Sequence, residues 1–201
     1  MREKFEITGC FYQIGDLNCR KYLNIKRKKT RISQPQLMVV MMNPGTSQPT
    51  VGDNNQQKEV PAIPDTTQDQ IMRVMENCRI EYSRILNLSD LRITPSKAFY
   101  KLLSEIRPKQ IPHSIFDSRR EDEFKTLFVT NIPTIFAWGV AKELTELAKS
   151  AIGKIGINNP IGIKKNNENY AFYHPLPHNH KAQIKWVSEI TKQLKNSLNS
   201  D

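Results

Sequence analysis

Gln36-Leu37-Met38-Val39-Val40-Met41-Met42-Asn43-Pro44-Gly45 is the stretch that decides the fold. Its apolar run is of strand length and does not alternate, the pattern of a strand covered on both faces in a parallel sheet. The run stops abruptly at a polar residue followed by proline and glycine. In an open α/β sheet such a stop lies at the carboxyl end of a strand, where these folds bind ligands. A second stretch ends the same way: Phe172-Tyr173-His174-Pro175-Leu176-Pro177-His178-Asn179. Asn43 and His174 are therefore expected on one rim of one sheet.

Outward from these two stretches, strand and helix patterns alternate. Residues 5–31 read as a β-hairpin or meander about Gly15-Asp16. Tyr82 to Leu88, Thr134 to Trp138 and Tyr170 to Tyr173 read as further strands. Thr67 with Gln70 predicts a capping box for a helix carrying Ile71, Val74, Met75 and Cys78 on one face. Thr94 and Pro95 open a second helix, with Phe99, Leu102, Leu103 and Ile106 inward. Residues 117–128 and 140–152 read as two more, and a lysine-rich helix with Ile184, Val187, Ile190 and Leu194 inward follows. From Gly45 to Asp65 there is no periodicity, and Pro49, Gly52, Pro61 and Pro64 interrupt every element. A loop of that length beside a strand end predicts a flexible wall over a site. The expected fold is a three-layer α/β/α sandwich with a mainly parallel four-stranded central sheet plus an N-terminal β-hairpin. Residues 1–35 form the hairpin extension and 36–201 the core of a single domain.

The chain has 201 residues, enough for one sizeable core. No apolar run approaches the ~20 residues of a membrane span, and Met1-Arg2-Glu3-Lys4 begins no apolar leader. A soluble cytoplasmic protein without a membrane partner is the expectation. Thirty Lys and Arg against twenty Asp and Glu give a net charge of +10, which favours encounter with polyanions. The basic residues cluster at Lys26-Arg27-Lys28-Lys29 with Arg31, and at Lys181, Lys185, Lys192 and Lys195. Cys10, Cys19 and Cys78 contain no C-x-x-C pair, so reduced thiols are expected rather than a zinc or iron–sulfur site. His174, His178 and His180 have ligand-like spacing, but their loop is broken by proline and lacks a paired carboxylate. Neither a metal nor another cofactor is expected.

Four segments end at the same predicted rim: Asn43-Pro44-Gly45, Asn87-Leu88-Ser89, Ala137-Trp138-Gly139 and His174-Pro175. Singly they are ordinary, since Asn before Pro is a common turn former and a His after aromatics is commonly a half-buried hydrogen-bonded side chain. Their combination in this order favours chemistry. Asn43 can hold a water or a substrate carbonyl through its amide, and Gly45 lets backbone come close to a ligand. Asn87 offers a donor and an acceptor to the edge of a base. His174 can donate to a developing oxyanion or serve as an acid or base.

This arrangement resembles the uracil-DNA glycosylase superfamily. Met41-Met42-Asn43-Pro44-Gly45 is similar to the first-strand motif of its mismatch-specific branch, Ile85-Leu86-Asn87-Leu88 to the base-reading segment, and His174-Pro175-Leu176-Pro177 to the late motif. The order also looks like a group of uncharacterised bacterial and phage domains with an Asn-Pro motif and a late His-Pro-Leu. The resemblance covers residues 36–190 and implies a flipped base in a pocket at the rim. It implies that Asn43 positions water and His174 stabilises the leaving base, as catalytic residues. Pro44, Gly45, Asn87, Trp138 and His178 would contact substrate, and Lys181 and Lys185 the nucleic-acid backbone. DNA is the expected partner and RNA the alternative.

Two other readings stand beside it. The loop after Gly45 holds no Phe, Tyr or Trp to stack on a base, Leu176 stands in place of a phosphate-binding serine, and His178 stands where the family has a wedge leucine. These features favour a non-catalytic nucleic-acid-binding module of the same fold. An enzyme on a small nucleotide also suits the rim, although no Gly-rich phosphate loop is present.

Overall fold

The computed structural model describes residues 1–199. Among them, one sheet contains β1 (Phe5–Ile14), β2 (Leu17–Arg27), β3 (Leu37–Met41), β4 (Gln48–Pro49), β5 (Glu59–Ile63), β6 (Tyr82–Asn87) and β7 (Thr134–Ala137). Their order is β4-β5-β1-β2-β6-β3-β7. Five α-helices accompany it: α1 (Thr66–Cys78), α2 (Ser96–Ile106), α3 (Glu121–Leu127), α4 (Thr145–Ile155) and α5 (His180–Leu198).

The unbroken apolar run of β3 is explained by what covers it. Leu37, Val39 and Met41 enter one core with Ile71 and Met75 of α1 and Val187 and Ile190 of α5. Met38 and Val40 enter a second core with Phe99 and Leu103 of α2 and Ala148 and Ala151 of α4. Because successive strand residues point to opposite faces, a strand sandwiched this way needs apolar residues at every position.

The sheet is mixed rather than mainly parallel and four-stranded. β3 runs parallel to β6 and β7, whereas β1–β2, β1–β5, β2–β6 and β4–β5 are antiparallel. The N-terminal hairpin turns at Gly15-Asp16 as expected, but it is not an appendage. Leu23 and Ile25 of β2 pair with Ile85 and Ser83, covering the edge of β6 that β3 leaves open. Tyr170 to Tyr173 does not become a fourth ladder strand. The outer edge of β7 is already taken at its start, where Phe136 N donates to Ile161 O (2.8 Å) and Ile161 N to Thr134 O (3.0 Å). Phe172 reaches only the tip, through isolated bridges to Gly139 and Lys164.

The segment expected to be structureless is partly strand. Val60 and Ala62 of β5 point into the core between exposed neighbours, and Val60 pairs with Gly9 of β1. Pro61 is tolerated because β5 faces only the two-residue β4 on its far side. Helix starts also shift. The capping box of α1 is formed by Asp65 and Gln68, not Thr67 and Gln70: Asp65 Oδ1 accepts from Thr67 N at 2.8 Å, and Asp65 N donates to Gln68 Oε1 at 2.5 Å. A 3₁₀ turn, Lys142–Leu144, precedes α4 where helix was expected from Val140. In α5 the inward set is Trp186, Val187, Ile190 and Leu194, while Ile184 is 56% exposed. Trp186 fixes that phase, since its indole N–H donates to Tyr173 O at 3.0 Å.

A buried ion pair pins the turn after β6. Arg120 Nη1 donates to Asp90 Oδ2 at 2.7 Å and Tyr12 Oη donates to the same oxygen at 2.6 Å. Burial pushes the Asp90 carboxyl up to about 6, with Arg120 and Tyr12 opposing the rise. Cys10, Cys19 and Cys78 are free, the first two buried, and burial pushes the Cys19 thiol up to about 12. No helix of the described residues is long and apolar enough to cross a membrane.

Candidate functional site

In the parallel part of the sheet, the chain leaves β3 towards β6 on one side, while β7 lies on the other. The carboxyl ends of β3 and β7 thus flank a crevice at a reversal of strand order, where open α/β sheets bind ligands. Asn43 emerges from β3, and His174 arrives on the segment whose Phe172 is bridged to Gly139. Both line one pocket of about 190 Å³, together with Gly45, Asp65, Thr94 and Ser96. That volume is below the ~300–1,000 Å³ of sites for drug-sized ligands and suits a single ring.

The hydrogen bonds of Asn43 decide what it offers. Nδ2 donates to Leu91 O at 3.1 Å and to Ile93 O at 2.8 Å. The opposite amide orientation would set an oxygen against two carbonyls, so the assignment is fixed by chemistry. Both amide hydrogens are spent, and Oδ1 is the group left for a ligand. Asn43 is therefore an acceptor at this site.

His174 is the complementary donor. Its Nδ1 accepts from Leu176 N at 3.2 Å, which in the neutral ring places the proton on Nε2. Burial pulls its pKa down to about 4, with the nearby Asp65 carboxylate opposing. At neutral pH the ring is uncharged and keeps an Nε2–H for donation.

Asp65 joins the pocket through the helix start described above. Its Oδ1 is held by Thr67 N, and its Oδ2 lies where a Cβ on Gly45 would stand 2.6 Å away. Gly45 has φ +63°, a conformation that also favours glycine. The absent side chain thus admits a carboxylate of the chain itself. The sequence signal for Asp65 was present in Asp65-Thr66-Thr67-Gln68, an N-cap residue three before Gln. Thr94 and Ser96 carried no comparable signal.

The other expected site residues are distributed more widely. Pro44 is buried beside Asn43. Asn87 is fully buried, paired in register with Met41, and does not line the pocket; neither of its amide atoms has a partner. Trp138 is fully buried. Its indole N–H donates to Tyr170 O at 2.8 Å, and its ring centroid lies 4.7 Å from that of Phe136 and 5.2 Å from that of Phe172, so it props the His174 segment from below. His178 lies in an adjoining groove between α1 and the start of α5, with Arg73 and His180, and Thr66 borders both groove and pocket. Lys181 and Lys185 are exposed on the first turns of α5. The Lys26–Lys29 cluster lies at the other end of the sheet, since Lys26 pairs with Tyr82 at the start of β6. There Arg27 is ion-paired with Glu76 at 2.7 Å. Among the described residues, no group of three or more His, Cys, Asp or Glu side chains is arranged to hold a metal ion.

A family model described as Protein of unknown function (DUF1643) matches residues 24–176. The matched stretch contains Asn43, Gly45, Asp65, Asn87 and His174, and it ends before His178, Lys181 and Lys185. No curated protein and no solved structure matches the chain.

Proposed function

Because the chain belongs to the family described as Protein of unknown function (DUF1643), whose description names no reaction, we propose a function from the pocket itself: hydrolysis of the N-glycosidic bond of a base turned out of a nucleic-acid strand. The observation that carries this reading is the pairing of one acceptor and one uncharged donor, Asn43 Oδ1 and His174 Nε2–H, on the walls of a single ring-sized pocket. Asn43 accepts a hydrogen bond from the attacking water and turns its lone pair towards the anomeric carbon. The water oxygen bonds to that carbon as the carbon–nitrogen bond breaks. The base leaves with the electron pair and takes up a proton released by the water. His174 donates to the base oxygen on which negative charge gathers, an interaction stronger in the transition state than in the ground state. An amide is no base, so Asn43 orients water without deprotonating it. The resemblance of the motif order to uracil-DNA glycosylases supports the same roles for Asn43 and His174.

The test is release of free base from oligonucleotides carrying uracil, mismatches or other lesions. Asn43→Ala and His174→Ala are each expected to slow release by roughly 10²–10³. Variants as fast as the wild type would remove both assignments.

One observation favours a second reading, nucleic-acid binding without cleavage: no Phe, Tyr or Trp lines the pocket, so nothing there stacks on a base. That reading predicts salt-dependent binding and no base release.

A further inference from the structure

We infer that Arg20 anchors a phosphate-type oxyanion beneath the 47–58 segment, through groups that do not line the Asn43–His174 pocket. Arg20 lies on β2 opposite Phe11, and Phe11 belongs to the core on the α1 and α5 side, so the guanidinium is directed into an apolar layer. It is fully buried, and Nε, Nη1 and Nη2 all lack a hydrogen-bond partner. Burial lowers its pKa to about 10, which still leaves it cationic at neutral pH. Buried charges in proteins are ordinarily paired and hydrogen-bonded, because an unpaired one is costly. Five N–H donors held in a fixed fork are therefore unspent.

Other buried polar groups repeat the pattern. Asn87 pairs with Met41, a member of the same core, and both its amide atoms are buried and unpartnered. Ser47 Oγ is also buried and unpartnered. Arg92 brings a second guanidinium: it lies over the Phe11 ring at 5.3 Å and is an electrostatic neighbour of Arg20. Two guanidiniums, an amide and a hydroxyl make a donor-rich surround, faced by the carboxylates of Asp65, whose Oδ1 caps α1, and of Asp90, whose Oδ2 is held by Arg120 and Tyr12. Such a surround matches an oxyanion with several acceptor oxygens, and the arginine fork matches its geometry.

Besides the short pairing of β4 with β5, the covering segment is tied down by a few bonds. Arg92 Nε donates to Ser47 O at 2.7 Å and Nη1 to Asn54 Oδ1 at 2.5 Å. Gln57 N donates to Phe11 O at 3.0 Å and Gln13 N to Asn55 Oδ1 at 3.2 Å. An entering anion takes over the Arg92 donors, so binding and release of the segment are coupled. The site stands whether or not the neighbouring pocket cleaves a glycosidic bond.

The experiment is thermal unfolding and titration calorimetry of the full chain with inorganic phosphate, and in a second arm with thymidine 5′-monophosphate, at constant ionic strength set by chloride. Phosphate is expected to raise Tm saturably. Arg20→Met is expected to raise the Tm of the ligand-free chain, since it removes an unpaired buried charge, and to weaken phosphate binding roughly tenfold or more. Tighter binding in the second arm identifies the oxyanion as part of a nucleotide; equal binding identifies free phosphate. Should Arg20→Met fail to fold, Asn87→Asp adds a carboxylate on the same core face, and loss of the phosphate response is again expected. Absence of a saturable response in the wild type, or its survival in both variants, overturns the site.

Discussion

Gly45 shows how tightly one residue constrains the pocket. With φ +63° and Asp65 Oδ2 2.6 Å from where a Cβ would stand, Gly45→Ala must move either the carboxylate or the chain. The left-handed conformation alone costs a non-glycine residue ~1–2 kcal/mol, and urea unfolding of Gly45→Ala should show a loss of at least that size. A variant as stable as the wild type would mean that the Asp65 contact yields freely. At this scale the sequence was informative about Asn43 and His174, because a polar residue ending an apolar run is a local signal. It was silent on which amide atom faces the pocket, since that depends on Leu91 O and Ile93 O, about fifty residues away. Arg20 was illegible for a related reason. Its burial follows from strand pairing with Phe11, and its neighbours in sequence, Cys19 and Lys21, give no hint of it.

The elements that carry the site depend on the turn after β6, and that turn depends on Arg120. Arg120 reaches Asp90 and Tyr12 from the 3₁₀ turn Ser118–Arg120 ahead of α3. Arg120→Met leaves a buried carboxylate unpaired and should destabilise the protein by about 3–5 kcal/mol. Adding Asp90→Asn should recover part of that loss in a double-mutant cycle; additive losses would deny the coupling. Elements of continuous or strongly periodic pattern, such as β3, β6, α2 and the hairpin, were legible. β5 was not, because its alternation spans only Glu59 to Ile63 and includes Pro61. Membership of one sheet was also hidden, because the pairing of β2 with β6 joins residues far apart in sequence and leaves no local trace.

For the whole molecule, charge and protonation are the measurable quantities. Burial holds His174 and His113 near pKa 4 in the folded chain, against about 6.5 unfolded. Their contribution is fully present above pH 6.5 and lost as pH falls towards 4. Asp90 acts oppositely: its pKa is raised to about 6, so its contribution is full below 3.8 and lost as pH rises through 6. Near pH 5 the unfolded state thus binds about one proton more than the folded state, and stability should fall by about 1.4 kcal/mol per pH unit on acidification. His174→Ala should flatten that slope; an unchanged slope would place His174 in solvent.

Nucleic-acid binding should follow position rather than total charge. Lys181→Ala and Lys185→Ala are each expected to reduce the salt dependence of binding by about one phosphate contact. Lys28→Ala and Lys29→Ala, at the opposite end of the sheet, should leave it unchanged. Equal effects from both clusters would separate binding from the rim.

The most direct measurement is the pH dependence of single-turnover base release from a uracil-containing oligonucleotide, wild type against Asn43→Ala and His174→Ala. With His174 acting as an uncharged donor, release by the wild type should stay flat from about pH 8 down to about 5.5 and fall only near 4, as protonation of Nδ1 breaks the Leu176 N–H bond that orients the ring, and both variants should be slower by roughly 10²–10³ at about pH 5.5–8. No base release, variants as fast as the wild type, or an acid limb centred near 6.5 would contradict the account.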